Sequence, residues 1–327
     1  MKKILILFVE RNNMETIEEK LKKMIGKRLQ EKPYNIDIFE LLEELFLPLR
    51  EEIITNLLPY LLDIDPNFFE DPNPILLQKY PIVDRGPSKI SGKLTTEDLM
   101  MRTPYSSEIE KIKSAKVVYA GFGGFQLSAM ILARAGVINF YLIDFDRFES
   151  SNANRQAFCF EDTLGKYKVD VGREYIKKIN SEANVRTFKE KITEDNVEKL
   201  LSEGNVVIEA TGDHESRVLV QKVCKKYKIP MMIGAWAGYE GQYLTLMPED
   251  PYYYEIFDYS PYTPERGFHP IGMALLNAYV ANDALKIIMG DFDHIVRYPK
   301  LLAIDVRRTQ PFQIRNIRYI RRRLEMR

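Results

Sequence analysis

The stretch GFGGFQ, residues 121–126, closes an apolar strand pattern and opens an apolar helix pattern. Gly121, Gly123 and Gly124 would let a backbone approach a phosphate, and a helix starting there adds free N–H groups and a positive end. Glycines at such a turn also serve purely structural ends. Asp144, in YLIDFD, stands 23 residues after Gly121, near the ~20 at which an acid usually takes ribose hydroxyls. Loop and acid together predict a nucleotide site without separating a nicotinamide from ATP. Then come DFDRFESSNANRQ (144–156), GKYK (165–168) and TGDHESR (211–217). A phosphate-transfer step builds charge on phosphoryl oxygens, which fixed cations and a metal stabilise. Hydride transfer needs neither. Taken singly, these residues have plainer readings: Arg155 and Lys168 as surface charges, Asn152 as a helix cap, Asp213 as the N-cap of a helix from 214.

Short apolar strands and amphipathic helices must position these groups. Strands are expected at 116–120, 139–144, 205–210 and 230–235, with helices at 124–136, 166–180 and 214–227. Such alternation predicts an α/β fold, a Rossmann-like, mostly parallel sheet with helices on both faces. GYEGQYLTL reads as another strand, IGMALLNAYVANDALKIIMG as a strong helix stopped by Gly290, and the tail as two antiparallel edge strands. The front of the chain differs. Residues 15–29 and 36–62 carry helical patterning, and prolines and glycines accumulate from 63 to about 105. Two parts are expected: a mainly helical extension with a Pro-rich connector, 1–110, and a nucleotide-binding part, 111–327.

The motifs in this order resemble the ubiquitin-activating superfamily in its bacterial and archaeal form, the ThiF, MoeB and HesA proteins. Their pattern is G-x-G-G-x-G, D-x-D-x-(I/V)-x-x-(S/T)-N-x-x-R-Q, G-x-x-K and D-N-x-x-x-R, and the resemblance covers about 115–290. It implies an ATP- and Mg²⁺-dependent adenylyltransferase, a homodimer, acting on a carboxylate of a peptide or small protein C-terminus or of a small metabolite. Asp144 would bind the ribose, with Asp146 among the nucleotide-binding residues. Asn152 and Arg155 would contact the phosphates, Gln156 and Lys168 would complete the clamp, and Asp213 would hold Mg²⁺. Arg155, Lys168 and Asp213 are the expected catalytic residues. In peptide-modifying relatives of the MccB type an N-terminal extension clamps the substrate; here it could do that, dimerise or dock a carrier.

Three departures stand out. Gln126 replaces the third glycine, which in a dinucleotide fold serves helix-to-strand packing, so a packing variation is expected. His214 stands where the family usually has Asn. Many relatives carry two C-x-x-C pairs for zinc and a later cysteine that takes the acyl group, whereas this chain has only Cys159 and Cys224. No zinc is expected, Cys224 reads as a buried thiol, and the adenylate would pass directly to another nucleophile. Cys159 lies among aromatics near the clamp, with a structural or a reactive reading open. Trp236 and the tyrosine-rich segment 248–266 fall where relatives bind the substrate's carboxyl end, as packing or as a lid. Arg102 is a weak counterpart of an arginine that reaches a partner's ATP. His269 and His294 read as surface or capping residues.

Composition agrees. Lys plus Arg and Asp plus Glu number 47 each, so no net field draws nucleic acid or an anionic membrane. The apolar run Ile4–Val9 is shorter than the roughly 7–15 residues of an export core, and no stretch nears the ~18 apolar residues of a span. A cytoplasmic protein is expected. Residues 31–75 are strongly acidic and 296–327 strongly basic. That asymmetry suits solvated faces and edge protection, or attraction between the ends.

Overall fold

The computed structural model describes residues 92–257 and 267–317. The apolar run at 4–9, the front helices, the first part of the connector, the second half of the tyrosine-rich loop and the last ten residues lie outside them. The described chain begins with α1 (Thr96–Met100) and α2 (Ile109–Ser114). It continues through β1 (Lys116–Ala120), α3 (Gln126–Arg134), β2 (Asn139–Ile143), α4 (Lys168–Ile179), β3 (Asn184–Phe188), α5 (Val197–Leu201) and β4 (Val206–Glu209). It closes with α6 (His214–Tyr227), β5 (Met231–Ala237), β6 (Glu240–Leu246), α7 (Tyr253–Ile256), α8 (Pro270–Met289), β7 (Lys300–Asp305) and β8 (Phe312–Asn316).

The strands form one eight-stranded sheet in the order β3-β2-β1-β4-β5-β6-β7-β8. The first five are parallel and the last three join antiparallel. The chain leaves β1 toward β2 and later returns to its other side with β4. The C-terminal end of β1 is thus the switch point at which open α/β sheets bind ligands. The central strands are buried along nearly their whole length, and their side chains alternate between two cores as the two-residue period requires. Val117 and Tyr119 face one core with α3, α4 and α8; Val118 and Ala120 face the other with α5 and α6.

The parallel core strands and the helices expected from residue 124 onward are present. β3 and α5 did not stand out in sequence. β3, NVRTF, is an edge strand in which only Val185 is buried, and α5 is a single five-residue turn. α1, ahead of the boundary expected at 110, packs with this sheet through Met100. Its Thr96 N–H donates to Glu182 Oε2 at 2.7 Å, and its buried hydroxyl accepts from Asn180 Nδ2 at 3.1 Å.

Trp236 is 5% exposed, and its indole N–H donates to Gly238 O at 2.7 Å. It is packing material. β5 and β6 form a hairpin across Gly238, which sits at φ +60°, and the indole lies between β6 and the start of α8. A Cβ at Gly241 would meet the ring at 2.1 Å and one at Gly272 at 1.9 Å. α8 is long and apolar enough to cross a membrane by length and composition alone, yet Met273, Leu276, Val280, Ala284 and Ile287 lie in the sheet core. Gly272→Ala should destabilise the fold by about 1–3 kcal/mol, the usual cost of overpacking, read as a lower midpoint in urea unfolding.

Candidate functional site

The C-terminal ends of β1, β2 and β4 carry most of the residues singled out in sequence. Gly121 follows β1 with φ +84°, and a Cβ there would stand 2.4 Å from Ala210 O. Only glycine lets the loops after β1 and β4 run this close. Gly123 and Gly124 are half-exposed. Asp144, which follows β2, accepts from Phe122 N at 2.7 Å through one oxygen and from Asp146 N at 2.8 Å through the other. Burial pushes its carboxyl above the ordinary range, against the opposing pull of Lys168 and of these two N–H groups.

Lys168 opens α4 almost wholly buried, its ammonium 2.9 Å from the half-exposed Asp146 carboxylate. Glycine loop, Asp144, Asp146 and Lys168 are therefore one bonded chain. Asn152 closes a short 3-10 turn (Ser150–Asn152), its Oδ1 accepting from Glu149 N at 3.2 Å. Arg155 donates to Ser151 O at 2.6 Å and Asn154 Oδ1 at 3.0 Å, and its guanidinium lies 4.0 Å from the centre of the Phe268 ring. Gln156 is buried and accepts from Gln126 Nε2 at 3.3 Å. Asp213 caps α6, accepting from Ser216 N at 2.9 Å. The helix-cap readings of Asn152 and Asp213 thus describe bonds that exist, alongside any part these residues take with a ligand. Arg102 is exposed.

Gln126 is more than a packing variation, for it is fully buried and hydrogen-bonded at both ends of its amide. Two further charges were not singled out in sequence. Glu209, fully buried at the end of β4, pairs with Arg217 Nε at 2.6 Å and accepts from Thr211 N at 2.9 Å. The signal was there, since an acid closing the apolar strand VVIE must find a cation. Arg217 also lies over the Tyr253 ring, 5.2 Å from its centre, and the Tyr253 hydroxyl bonds the His214 ring. His214 thus anchors the first turn of α6 to the tyrosine-rich segment.

Cys159 Sγ donates to Glu149 O at 3.5 Å. Burial raises its thiol despite Lys168 and Arg155 nearby. Cys224 is more deeply buried and raised further. Neither has the environment that creates a thiolate nucleophile. His269 caps α8, and His294 pairs with Asp291 at 2.7 Å. A hollow of about 510 Å³ opens at the opposite edge of the sheet, lined by Ser114, Asn205 and Pro230, and holds none of the nucleotide candidates.

The model of the ThiF family matches residues 96–323. The adenylyltransferase and sulfurtransferase MOCS3 of Culex quinquefasciatus is 31% identical over 189 residues, 55% of this chain and 43% of that protein. The probable molybdopterin-synthase adenylyltransferase of Gracilaria tenuistipitata var. liui is 27% identical over 218 residues, 64% of this chain and 61% of that one. The chain therefore spans only about half the length of these curated relatives. Among solved structures, E. coli MccB with AMPCPP and MccA shares the fold at TM-score 0.56 and 22% identity, covering 73% of this chain and 74% of that one.

Arg217→Met should destabilise the protein by about 3–5 kcal/mol, because it strands Glu209 as an uncompensated buried charge. Adding Glu209→Gln should recover much of the loss in denaturant titration. In the native protein, both thiols should react with iodoacetamide far more slowly than a free cysteine, Cys224 the slower, as followed by mass spectrometry.

Proposed function

We propose that this chain, which belongs to the ThiF family, uses ATP to activate a carboxylate as an acyl-adenylate with release of pyrophosphate. The observation that carries this reading is the bonded chain from the glycine loop through Asp144 and Asp146 to Lys168, set at the switch point of the sheet. It joins a glycine-lined loop, a buried acid and a buried cation in one bonded unit, the parts that a nucleotide site would use.

The substrate carboxylate oxygen forms a bond to the α-phosphorus as the bond from that phosphorus to the β-phosphate bridging oxygen breaks, and pyrophosphate leaves. Free N–H groups of the loop and the positive end of α3 take phosphate charge. Lys168, held at Asp146, and Arg155, held over Phe268, supply the fixed cations this transition state needs. Asn152 and Gln156 complete the lining. Asp213 offers one half-exposed carboxylate, which suits Mg²⁺, an ion bound through one or two carboxylates together with substrate phosphates. Bound there, Mg²⁺ would neutralise charge on the phosphates.

With both thiols buried and unactivated, the adenylate passes directly to an external nucleophile. The substrate is a carboxyl terminus of a peptide or small protein, or a small metabolite. MccB structures that include MccA support the first. We further read the chain as a cytoplasmic homodimer, with the residues ahead of α1 serving substrate or partner recognition.

Exchange of labelled pyrophosphate into ATP should appear only when the right carboxylate is supplied. Arg155→Ala should lower that exchange by on the order of 10²–10³, the usual size for one lost transition-state charge contact. Asp213→Asn should do the same while preserving the helix cap, which Asn supplies as well as Asp. Near-unchanged exchange in both variants would overturn the assignment.

A further inference from the structure

We propose that Gln126 and Asn277 are positioning residues that hold the carbonyls of the glycine loop inward, leaving its N–H groups free for the phosphates of ATP. The inference rests on the reading of this loop as the ATP cradle. Gln126, the first residue of α3, is fully buried. Its Nε2 donates to Phe122 O at 2.8 Å and to Gln156 Oε1 at 3.3 Å, and its Oε1 accepts from Phe158 N at 3.0 Å. Asn277, from the middle of α8, is 1% exposed. Its Nδ2 donates to Gly124 O at 2.9 Å and to Met273 O at 2.7 Å, and its Oδ1 accepts from Ser128 N at 2.9 Å.

Two side-chain amides from two different helices therefore take the carbonyls at 122 and 124. A carbonyl turned outward in an anion cradle would set partial negative charge against the phosphates; one turned inward without a donor would cost the full desolvation of a buried polar group. The amides remove both penalties. Phe122 N is already spent on Asp144. Among the described residues, the N–H groups of Gly123, Gly124 and Phe125 have no protein acceptor. Those three are left free to donate to the phosphates of a bound nucleotide.

Glycine at 126, the residue at the corresponding place in the G-x-G-G-x-G pattern, could make none of these bonds. Gln126 does something else besides. Through Gln156 and Phe158 it fastens the cradle to the segment that carries Asn152 and Arg155, so that the two phosphate-facing segments share one buried tie. Gln126 and Asn277 reach the nucleotide only through the groups they hold, the loop backbone and, for Gln126, the Gln156 side chain.

The test compares ATP with adenosine, which has no phosphates, in calorimetric titrations of the full chain, with thermal unfolding alongside. Gln126→Met keeps the volume and removes all three bonds. It should weaken ATP roughly tenfold, as expected for loss of more than one net hydrogen bond's worth of positioning, and leave adenosine unchanged. Asn277→Leu should shift the ratio of ATP to adenosine affinity in the same direction. If Gln126→Met does not fold, Gln126→Glu serves in its place, keeping the bond from Phe158 but not the donors. Unchanged ATP affinity in a folded Gln126 variant, or equal weakening of both ligands, would overturn the inference. Wild-type protein that binds no ATP would instead overturn the nucleotide reading itself, and the inference with it.

Discussion

One buried carboxylate organises the working end of this fold. Asp144 takes a backbone N–H from the loop after β1 on one oxygen and one from the turn after β2 on the other. Adjacent parallel strands are already in register through their ladders, but the loops beyond them are not. A side chain that binds both makes the two loops a single body. Placing a carboxylate there is unfavourable, as the upward pull on its proton affinity shows. Bonds to two N–H groups and the field of Lys168 offset that cost. Everything downstream follows from the knot: Asp146 is aimed at Lys168, Lys168 starts α4, and α4 covers one face of the sheet.

The same logic recurs around the rim. Inside the sheet, apolar side chains alternate between two cores and need no direction. At the C-terminal edge, strands end, helices begin, and carbonyls and N–H groups must be satisfied one by one. Asn152, Asp213, Gln126, Asn277 and the Glu209–Arg217 pair all do this. Each is a polar group placed by backbone geometry. A ligand site on such a rim is therefore rigid for the same reason that the rim is stable.

That division explains what could be seen in the amino-acid sequence. The central strands are apolar runs between glycines and acids, and α8 is a long apolar helix between Pro270 and Gly290; both are periodicity signals that survive without context. β3 is half polar because one side of it faces solvent, so its pattern is faint. Residue types at the site were legible as motifs, because phosphate chemistry needs glycines, cations and acids at set places. Their bonding was not. Nothing in QLSAM says that Gln126 reaches back to Phe122 and across to Phe158, since those partners are brought together only by the fold. Glu209 was visible as an oddity in VVIE, while its partner lay eight residues on, across a helix cap.

The sheet changes character at β5. Up to that strand, each addition brings a crossover helix and fixes part of the C-terminal edge; beyond it the strands pair antiparallel, β6 and β8 as direct hairpins and β7 after α7 and α8. The chain that connects β6 to α8 leaves from a strand pinned on both sides and re-enters at a capped helix start. Its first part is itself fixed to α6, with Tyr253 buried and bonded to His214, so only the stretch beyond that tie can vary in length and composition without disturbing the strands. Such a fold can vary that connection across evolutionary time while the C-terminal edge of its parallel strands stays where it is.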